Sequence, residues 1–344
     1  MPATRNDVAK LAGVSTATVS YVVNNGPRRV SAATQKRVLH AIEQLGYQPS
    51  AIARSLKTKR THTVGVIVAD ILNYILAEFA KSAEDLLLPR DFSLTVCTSD
   101  ESTARERLWL DMLYSRRVDG VLLWPTDSAN LRLVHSMLDS GIKIVLLGRQ
   151  VEGLSVDSVR MDNETGAYTG VQHLIQLGHT RIGLLNLPSG QTPGRERLRG
   201  YMRAFQDAGL MVDPRFIKEA TFKAEQAYSV TGELLDLNPP PTALFVASNR
   251  LALGTLQQAK QRSVRVPEDL ALCAFDDVPW FSYMTPSISA ISYDVPTLAA
   301  KAVGFLCERI DGHYAGEPRT FELPCHLEAR ESTLGVQAKP GPHS

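Results

Sequence analysis

From Thr63 onward, short apolar runs alternate with longer amphipathic stretches, and this alternation restricts the fold more than any other feature. Stretches of about 12–18 residues separate the runs and are predicted as helices, among them 164–177 and 197–209. Alternating strands and helices form βαβ units with parallel strands. About ten strands over about 270 residues predict two doubly wound α/β subdomains, which bind ligands beyond the carboxyl ends of their strands. The most strand-like runs are VGVIVAD, SLTVCTS, DGVLLWP, KIVLLGR, RIGLLNL, TALFVAS and DLALCAF.

Charge is unevenly distributed along the chain. The 344 residues carry a net charge of +1, but residues 1–60 contain ten Lys or Arg and two acidic residues, a net +8 that leaves −7 for the remainder. This asymmetry predicts a basic head that binds a polyanion, joined to an acidic body. A basic face that is merely solvated is the alternative interpretation.

The sequence also indicates where the protein acts. Its four cysteines are scattered without CxxC or zinc-ligand spacing, as expected of small core residues in a reducing compartment. The first residues, MPATRNDVAK, contain no apolar stretch, and no run approaches the roughly 18–20 apolar residues of a membrane helix. We expect a cytoplasmic protein without a membrane partner.

Motifs for enzymatic chemistry are missing from the sequence. It contains no GxGxxG, GxxxxGK[ST], GxSxG or HExxH, so we expect no catalytic residue, metal or cofactor. His135, His173 and His179 are isolated and are predicted to be hydrogen-bonded structural residues. Asp276 and Asp277 are adjacent at a strand end, where neighbouring side chains point in different directions rather than forming an acid–base pair.

The first 47 residues predict three short helices. Thr4 and Asp7 form a capping box, and Gly13 ends the first helix. Ser15 begins the second helix, and Ser31 and Gly46 bound the third. The expected buried faces are Val8, Leu11 and Ala12; Val19, Val22 and Val23; and Val38, Ile42 and Leu45.

The first two helices, joined across AGVS, form a helix-turn-helix, whose second helix enters the DNA major groove. Its outward positions are Thr16, Ala17, Ser20 and Tyr21, which offer hydroxyl groups and a methyl group to base edges. A three-helix protein-binding module is the alternative, but it explains neither the charge nor the small outward side chains.

The stretch NDVAKLAGVSTATVSYVVNN…VSAATQKRVLHAIEQLGYQPSAIARSLKT resembles the N-terminus of the LacI/GalR family of bacterial transcription regulators. The resemblance implies that Thr16, Ala17 and Tyr21 read operator bases. It places Ser15, Ser20 and Asn24 among the phosphate-contacting positions. Phosphate contacts supply most of the affinity and its salt dependence, whereas base contacts set the sequence preference.

QPSAIARSLKTKR, residues 48–60, resembles the family's hinge helix. Pro49 suits a first helical position, but a helix this short is marginal in isolation. The resemblance implies pairing with the dimer mate over the minor groove, with Leu56 as a wedge that partly unstacks a base step. Ala53, Arg54 and Lys57 are the other expected DNA contacts. The alternative is a solvated linker between two domains. A linker explains the positive charge of this segment, but it does not require the apolar side chain of Leu56.

The resemblance continues to about residue 334 through three further motifs: VRMDNETGAYTGVQHLIQLGHTRIGLL, RERLRGYMRAFQDAGL and VPEDLALCAFDDVPW. It implies a periplasmic-binding-protein-like body that holds a small effector between two subdomains. The expected domains are a helix-turn-helix domain 1–47, a hinge 48–60, a body 61–334 and a flexible tail 335–344. Within the body, one subdomain comprises about 61–161 with 292–322, and the other comprises about 162–291 with 323–334.

The expected effector contacts follow strand ends in both subdomains. Their carboxylates, amides and guanidinium groups suit bidentate hydrogen bonds to vicinal hydroxyls, and their aromatic rings suit a sugar's apolar face. A sugar or sugar acid is the expected ligand, with a purine or another small metabolite as the alternative. The candidates are Asp70, Asn73, Ser99, Asp100, Trp124, Arg149, Arg197, Phe222, Asn249, Asp276 and Trp280.

Three segments depart from the family pattern, and each affects the expected pocket. NYIL (73–76) replaces NPFF, ASN (247–249) replaces AND, and Gly148 replaces an Asp. The identity of the ligand therefore does not follow from the resemblance.

The sequence as a whole predicts a sequence-specific repressor whose operator affinity is controlled by a ligand, acting as a homodimer. The tail VQAKPGPHS lacks a leucine heptad, which favours a dimer over a tetramer. A solute-binding receptor of a transport system is the rival, but it predicts an export signal and no basic head.

Overall fold

The computed structural model describes residues 3–23, 30–48 and 60–334. The chain divides into two compact units, one ending at His62 and the other beginning at Thr63. The predicted contacts Asn24, Ala53, Arg54, Leu56 and Lys57 lie outside the described residues. The hinge and tail therefore remain predictions.

The first unit contains three helices in its described part: α1 (Arg5–Ala12), α2 (Thr16–Val23) and α3 (Ala32–Leu45). The capping box forms as expected, because the Thr4 hydroxyl accepts from the Asp7 backbone while the Thr4 backbone N–H donates to the Asp7 carboxylate. Gly13 and Gly46 end α1 and α3 with φ of +63° and +57°, the left-handed conformation that glycine adopts without steric cost.

The core of this unit is centred on Val8, Val19 and Val38, which are fully buried. The expectation for Leu11 was wrong, because its side chain is 48% exposed. Ala9 is buried instead, since α1 packs against both α2 and α3 and turns positions 8, 9 and 12 inward. Val23, Ile42 and Leu45 are only partly buried.

The second unit contains two six-stranded sheets, and the order of strands in each is that of a doubly wound fold. The first sheet runs β11-β5-β4-β3-β1-β2, with every neighbouring pair parallel. Its strands are β1 (Thr63–Val68), β2 (Ser93–Thr98), β3 (Gly120–Leu123), β4 (Lys143–Leu147), β5 (Asp157–Met161) and β11 (Thr320–Leu323).

The second sheet runs β12-β10-β9-β8-β6-β7. Its pairs are parallel except β10–β12, which is antiparallel at the edge. Its strands are β6 (Ile182–Asn186), β7 (Ile217–Glu219), β8 (Ala243–Val246), β9 (Ala271–Phe275), β10 (Ser289–Ser292) and β12 (His326–Glu328).

Helices cover both faces of each sheet, so the predicted α/β class with two subdomains is confirmed. The described helices of this unit are α4 (Tyr74–Leu87), α5 (Thr103–Ser115), α6 (Leu131–Asp139), α7 (Asn163–Gln176), α8 (Thr192–Asp207), α9 (Ala224–Leu235), α10 (Asn249–Gln261), α11 (Pro279–Tyr283) and α12 (Val295–Ile310). Single 3₁₀ turns lie at Leu88–Arg90 and Pro214–Phe216.

All seven apolar runs singled out in the sequence form strands. The described residues contain twelve strands rather than about ten. The predicted helix 197–209 begins earlier, at Thr192, because Pro193 suits the first helical turn, where no backbone N–H is needed. This extension places Arg197 well inside α8.

The isolated histidines and the cysteines have the structural roles expected of them. Ring nitrogens of His135, His173 and His179 lie 3.2, 2.9 and 2.9 Å from oxygens of Gly153, Thr333 and Thr242, respectively. All four cysteines are free, and only Cys325 is more than marginally exposed. Burial raises the pKa of the Cys97 thiol to about 11, which keeps it protonated.

Asp157 joins the end of α12 to the first sheet. Its buried carboxylate accepts from the Arg309 guanidinium at 3.0 and 2.8 Å, and from the Arg319 backbone and guanidinium at 2.8 and 3.0 Å. Burial alone would raise the pKa of Asp157, but these donors outweigh burial and lower it. The carboxylate is therefore more stable as an anion in the folded state than in the unfolded one.

Asp157→Asn should lower the free energy of unfolding by about 3 kcal/mol at pH 7, because it removes the buried carboxylate that pairs with the half-buried guanidinium groups of Arg309 and Arg319. Since the folded pKa is depressed, this contribution is present above the unfolded value of about 3.9 and is lost as the pH falls through the folded pKa. Urea titrations of wild type and Asp157→Asn from pH 7 to pH 3 measure the difference in their free energies of unfolding.

Glu233→Gln, which removes an exposed partner of Lys218, is the control and should lower the free energy of unfolding by less than about 1 kcal/mol. A penalty for Asp157→Asn that is independent of pH would contradict this account.

Candidate functional site

Polar side chains from both subdomains meet in one cavity at the carboxyl ends of the strands. Asp70 follows β1 and Trp124 follows β3, the pair at which the strand order of the first sheet reverses. Such switch points are where doubly wound sheets bind ligands. Phe222 and Asp276, from loops after β7 and β9, face them from the second subdomain.

Seven of the eleven predicted effector contacts line this cavity. They are Asp70, Asn73, Trp124, Arg149, Arg197, Phe222 and Asp276. The other lining residues are Ala69, Ile75, Leu76, Glu101, Gly148, Met161, Pro193, Arg250 and Tyr293.

Arg197 lies in the part of the cavity wall that the second subdomain contributes, and it is only 2% exposed. Its Nε donates to Asn163 Oδ1 at 3.0 Å, and Nη1 donates to the Ala247 carbonyl. The guanidinium carbon lies 3.6 Å from the centre of the Phe275 ring, in a cation–π contact. Arg197 Nη2 is 3.8 Å from Asp276 Oδ1. These contacts hold one orientation of a buried donor group.

Asp276 is aimed into the cavity by its backbone. Its φ of +70° is unusual for a residue with a side chain, and Tyr293 donates its hydroxyl to Oδ1 at 2.9 Å. Burial and the Asp276 carboxylate hold the pKa of Tyr293 well above its ordinary value, so the phenol keeps its proton. Asp277 turns away and binds Arg330 at 2.8 and 2.7 Å, as expected of adjacent residues at a strand end.

Arg149 joins three loops of the first subdomain and is 4% exposed. Nη1 and Nη2 donate to Glu101 Oε2 and Oε1 at 2.9 and 2.6 Å, and Nη1 also donates to the Pro125 carbonyl at 2.9 Å. The Phe222 ring of the opposite subdomain lies 5.1 Å from the guanidinium carbon. Arg149 Nε is buried and has no hydrogen-bond partner among the described residues.

Gly148 has no side chain, and the Trp124 indole occupies the space that a side chain would need. A Cβ atom at this position would lie 2.6 Å from the Trp124 indole, and Gly148 adopts a φ of +64°. The indole packs edge-on against Phe79, with ring centres 5.7 Å apart. An Asp at position 148 would therefore require Trp124 to move, so this departure from the family pattern exchanges a carboxylate for an aromatic wall.

The cleft is closed by polar contacts between the two subdomains. Asn249 Nδ2 donates to Asn73 Oδ1 at 3.1 Å, and Arg250 Nε lies 3.6 Å from Asp70 Oδ2. On another side, the Gln150 backbone donates to Thr192 Oγ1 at 3.1 Å. The space open to water-sized molecules is about 40 Å³, room for about three waters. A sugar-sized ligand is larger than this space, so residues that line the cavity must move before it fits.

Four predicted contacts lie outside the cavity lining. Asn249 does not line the cavity but donates a hydrogen bond to Asn73, which does. Ser99 is fully buried, with its hydroxyl 3.5 Å from the Val68 carbonyl and from Thr126 Oγ1. Asp100 turns outward to pair with Arg105, and Trp280 packs edge-on against Phe281.

Glu101, Arg250 and Tyr293 line the cavity but were not predicted from the sequence. Glu101 comes one residue after the predicted Asp100, and both residues have positive φ, at 56° and 49°. This backbone turn brings Glu101 inward in place of Asp100. Arg250 likewise follows the predicted Asn249 by one residue. Tyr293 directly follows β10, so the rule that led to the other candidates would have included it.

Five of the predicted DNA contacts lie in α2 or directly before it, and none of them is fully buried. Ala17 and Ser15 are exposed, whereas Thr16, Ser20 and Tyr21 are half-buried. The Ser15 hydroxyl accepts from the Thr18 backbone at 3.1 Å, so it also holds the start of α2. The five residues are therefore available on the surface of this unit.

Within residues 3–23, 30–48 and 60–334, no group of three His, Cys, Asp or Glu side chains is arranged to hold a metal ion. Across the same ranges, every helix is too short or too polar to cross a membrane.

Comparison with known proteins identifies the family. Residues 4–50 match the family of bacterial regulatory proteins named after lacI, and residues 171–333 match a periplasmic binding protein-like domain. The HTH-type transcriptional repressor PurR of Aliivibrio salmonicida (strain LFI1238) is 34% identical over 331 residues, which cover 96% of this chain and 98% of that repressor. The chain belongs to the LacI family. It is a DNA-binding transcription regulator, and the prediction that it is not an enzyme is confirmed.

Solved structures of LacI-family proteins show the same architecture. A complex of the transcriptional regulator CelR with cellobiose matches with a TM-score of 0.72 and 31% identity, over 96% of this chain and 99% of CelR. A lac repressor dimer bound to operator and the anti-inducer ONPF matches with a TM-score of 0.84 and 26% identity, over 97% and 100%. LacI-family repressors thus bind operator DNA and small effectors, and the lac repressor does so as a dimer.

Asn249→Asp should open the cleft of the ligand-free protein, because a carboxylate cannot donate to Asn73 Oδ1 and instead repels it. We expect a larger radius of gyration in small-angle scattering and faster amide exchange in the loops after β1 and β8. Asn238→Asp, in the loop before β8, adds the same charge away from the cleft and should change neither measurement. An Asn249→Asp protein as compact and as protected as wild type would show that this contact does not hold the cleft closed.

Proposed function

We propose that this LacI-family repressor is controlled by a small polyhydroxyl ligand, of the sugar class, held between its two subdomains. The proposal is based on one cavity that Arg197, Asp276 and Arg149 line together. The Trp124 and Phe222 rings also line this cavity and provide it with apolar surface. Fixed donors and acceptors suit vicinal hydroxyls, and the aromatic rings suit the apolar face of a sugar. CelR, bound to cellobiose in its solved structure, supports this class of ligand.

Control of DNA binding requires that the ligand favour one arrangement of the subdomains over another. The closed cleft described above is one such arrangement, and ligand entry requires another that is more open. If operator DNA also binds one arrangement more tightly, the ligand and the DNA affect each other's affinity. The remaining contacts proposed for the ligand are Asp70 and Asn73, which also take part in closing the cleft.

We propose that the protein acts in the cytoplasm as a homodimer on a near-palindromic operator. The edge strand β2 and helix α4 expose apolar side chains on the first subdomain, and Val96 is 47% exposed at this edge. Leu72 and Tyr74, before and at the start of α4, are 76% and 44% exposed. A second copy that covers this surface would bury it. The lac repressor, which has the same architecture, is a dimer in its operator complex, and this supports a dimeric state.

DNA contact is proposed for Ser15, Thr16, Ala17, Ser20 and Tyr21 of the helix-turn-helix. Asn24, together with Ala53, Arg54, Leu56 and Lys57 of the hinge, completes the proposed interface. In a dimer the two recognition helices reach half-sites about one helical turn apart, or a multiple of it.

Arg197→Ala should retain operator affinity but lose the response to ligand, because it removes a cavity donor without touching the helix-turn-helix. A thermal-shift panel of sugars, sugar acids, polyols and purines first identifies a ligand that raises the melting temperature. Operator binding is then measured by fluorescence anisotropy with and without that ligand, at fixed salt.

Arg199→Ala is the matched control, since Arg199 lies two residues along α8 and pairs with Glu164 on the surface. It should respond to ligand as wild type does. A wild-type ligand response in Arg197→Ala would show that the effector site lies elsewhere.

Leu56→Ala should weaken operator binding at least about tenfold, because the proposed wedge no longer unstacks a base step, while ligand affinity of the free protein stays the same. Thr58→Ala is the control in the same segment and should change operator affinity little. Unchanged operator affinity in Leu56→Ala would mean that residues 48–60 act as a simple linker.

A further inference from the structure

The carboxylate of Glu101 occupies one edge of the Arg149 guanidinium inside the cavity. Both of its oxygens accept from Arg149, at 2.9 and 2.6 Å, in the bidentate arrangement that makes arginine–carboxylate pairs strong. Glu101 keeps 20% of its side chain exposed, whereas Arg149 keeps 4%. The cation is thus neutralised by the protein's own carboxylate before any ligand arrives.

The same balance holds for the other charges that line the cavity. Arg197 lies 3.8 Å from Asp276, and Arg250 lies 3.6 Å from Asp70. Among the described residues, the cavity lining contains three arginines and three carboxylates, each arginine within 4 Å of one carboxylate. An anionic ligand would therefore bring an uncompensated charge into a closed site, which is costly in a medium that water does not screen.

We propose that Glu101 is a specificity-determining residue, which makes the effector site select an uncharged sugar over the corresponding sugar acid. The inference rests on the proposed function and deepens it by naming the charge of the ligand. Glu101 is the residue on which this charge selection rests, because it pairs with Arg149 through two hydrogen bonds of 2.9 and 2.6 Å, whereas the other two pairs are single contacts at 3.8 and 3.6 Å. Arg149 Nε is buried and has no hydrogen-bond partner among the described residues.

Removing the charge of Glu101 should reverse this selection. In Glu101→Gln the cavity has a net positive charge on Arg149, which a ligand carboxylate can neutralise. Glu101→Asp keeps the charge on a shorter side chain, so it should keep the preference for neutral ligands even if the pairing geometry weakens. Asp111→Asn removes a carboxylate from the exposed face of α5 and tests whether a distant charge has the same effect.

The experiment compares matched pairs of ligands that differ only at C6: glucose with glucuronate, and galactose with galacturonate. Dissociation constants for wild type, Glu101→Gln, Glu101→Asp and Asp111→Asn are measured by isothermal titration calorimetry at pH 7 and low salt. Melting temperatures of the ligand-free proteins establish that each variant is folded. We expect wild type to bind the neutral member of at least one pair more tightly, and the ratio of the two affinities to move toward the acid by about tenfold or more in Glu101→Gln alone.

Two results would overturn the inference while leaving the proposed function in place. One is a wild-type protein that binds the sugar acid more tightly than the neutral sugar. The other is an affinity ratio in Glu101→Gln equal to that of wild type. If wild type binds neither member of either pair, nor any other sugar or polyol, the proposed function itself fails, and the inference fails with it.

Discussion

The effector site depends on one buried cation, the Arg197 guanidinium. A buried charge is tolerated only when hydrogen bonds and counter-ions compensate it, and here the compensation comes from several separate segments. Asn163 belongs to the crossing from the first sheet to the second, Ala247 follows β8, and Asp276 follows β9. Because these segments converge on one side chain, the loops at the carboxyl edge of the second sheet are held in register before a ligand binds.

The first subdomain repeats this design around Arg149, and the two halves meet through contacts of modest strength. A neutral amide pair, an ion pair at 3.6 Å and a backbone hydrogen bond join them across the cleft. Individual contacts of this kind contribute about 1 kcal/mol or less each. The closed arrangement is therefore one that a ligand with a few good hydrogen bonds can strengthen, which is what control of DNA affinity requires.

Much of this architecture could be predicted from the sequence, for identifiable reasons. Strands buried on both faces leave continuous apolar runs, so β1 and β8 were predicted, whereas the short polar strand HLE at His326–Glu328 leaves no such signal. Residues after strand ends converge because parallel strands share a carboxyl edge, which is why Asp70 and Asp276 were found. Which neighbour points inward depends on backbone dihedral angles. Glu101 rather than Asp100 lines the cavity because the backbone turns there with positive φ angles. The spacing of residues in the sequence does not indicate such a turn.

We infer that ligand binding in the cleft and operator binding by the helix-turn-helix are thermodynamically coupled. The most direct measurement is a linkage cycle: operator affinity with and without a saturating ligand, and ligand affinity of the free and the operator-bound protein, all at one salt concentration. We expect the two affinity ratios to be equal and to differ from one, because coupling between binding sites is reciprocal. A ligand that binds the cleft tightly but leaves operator affinity unchanged would contradict it.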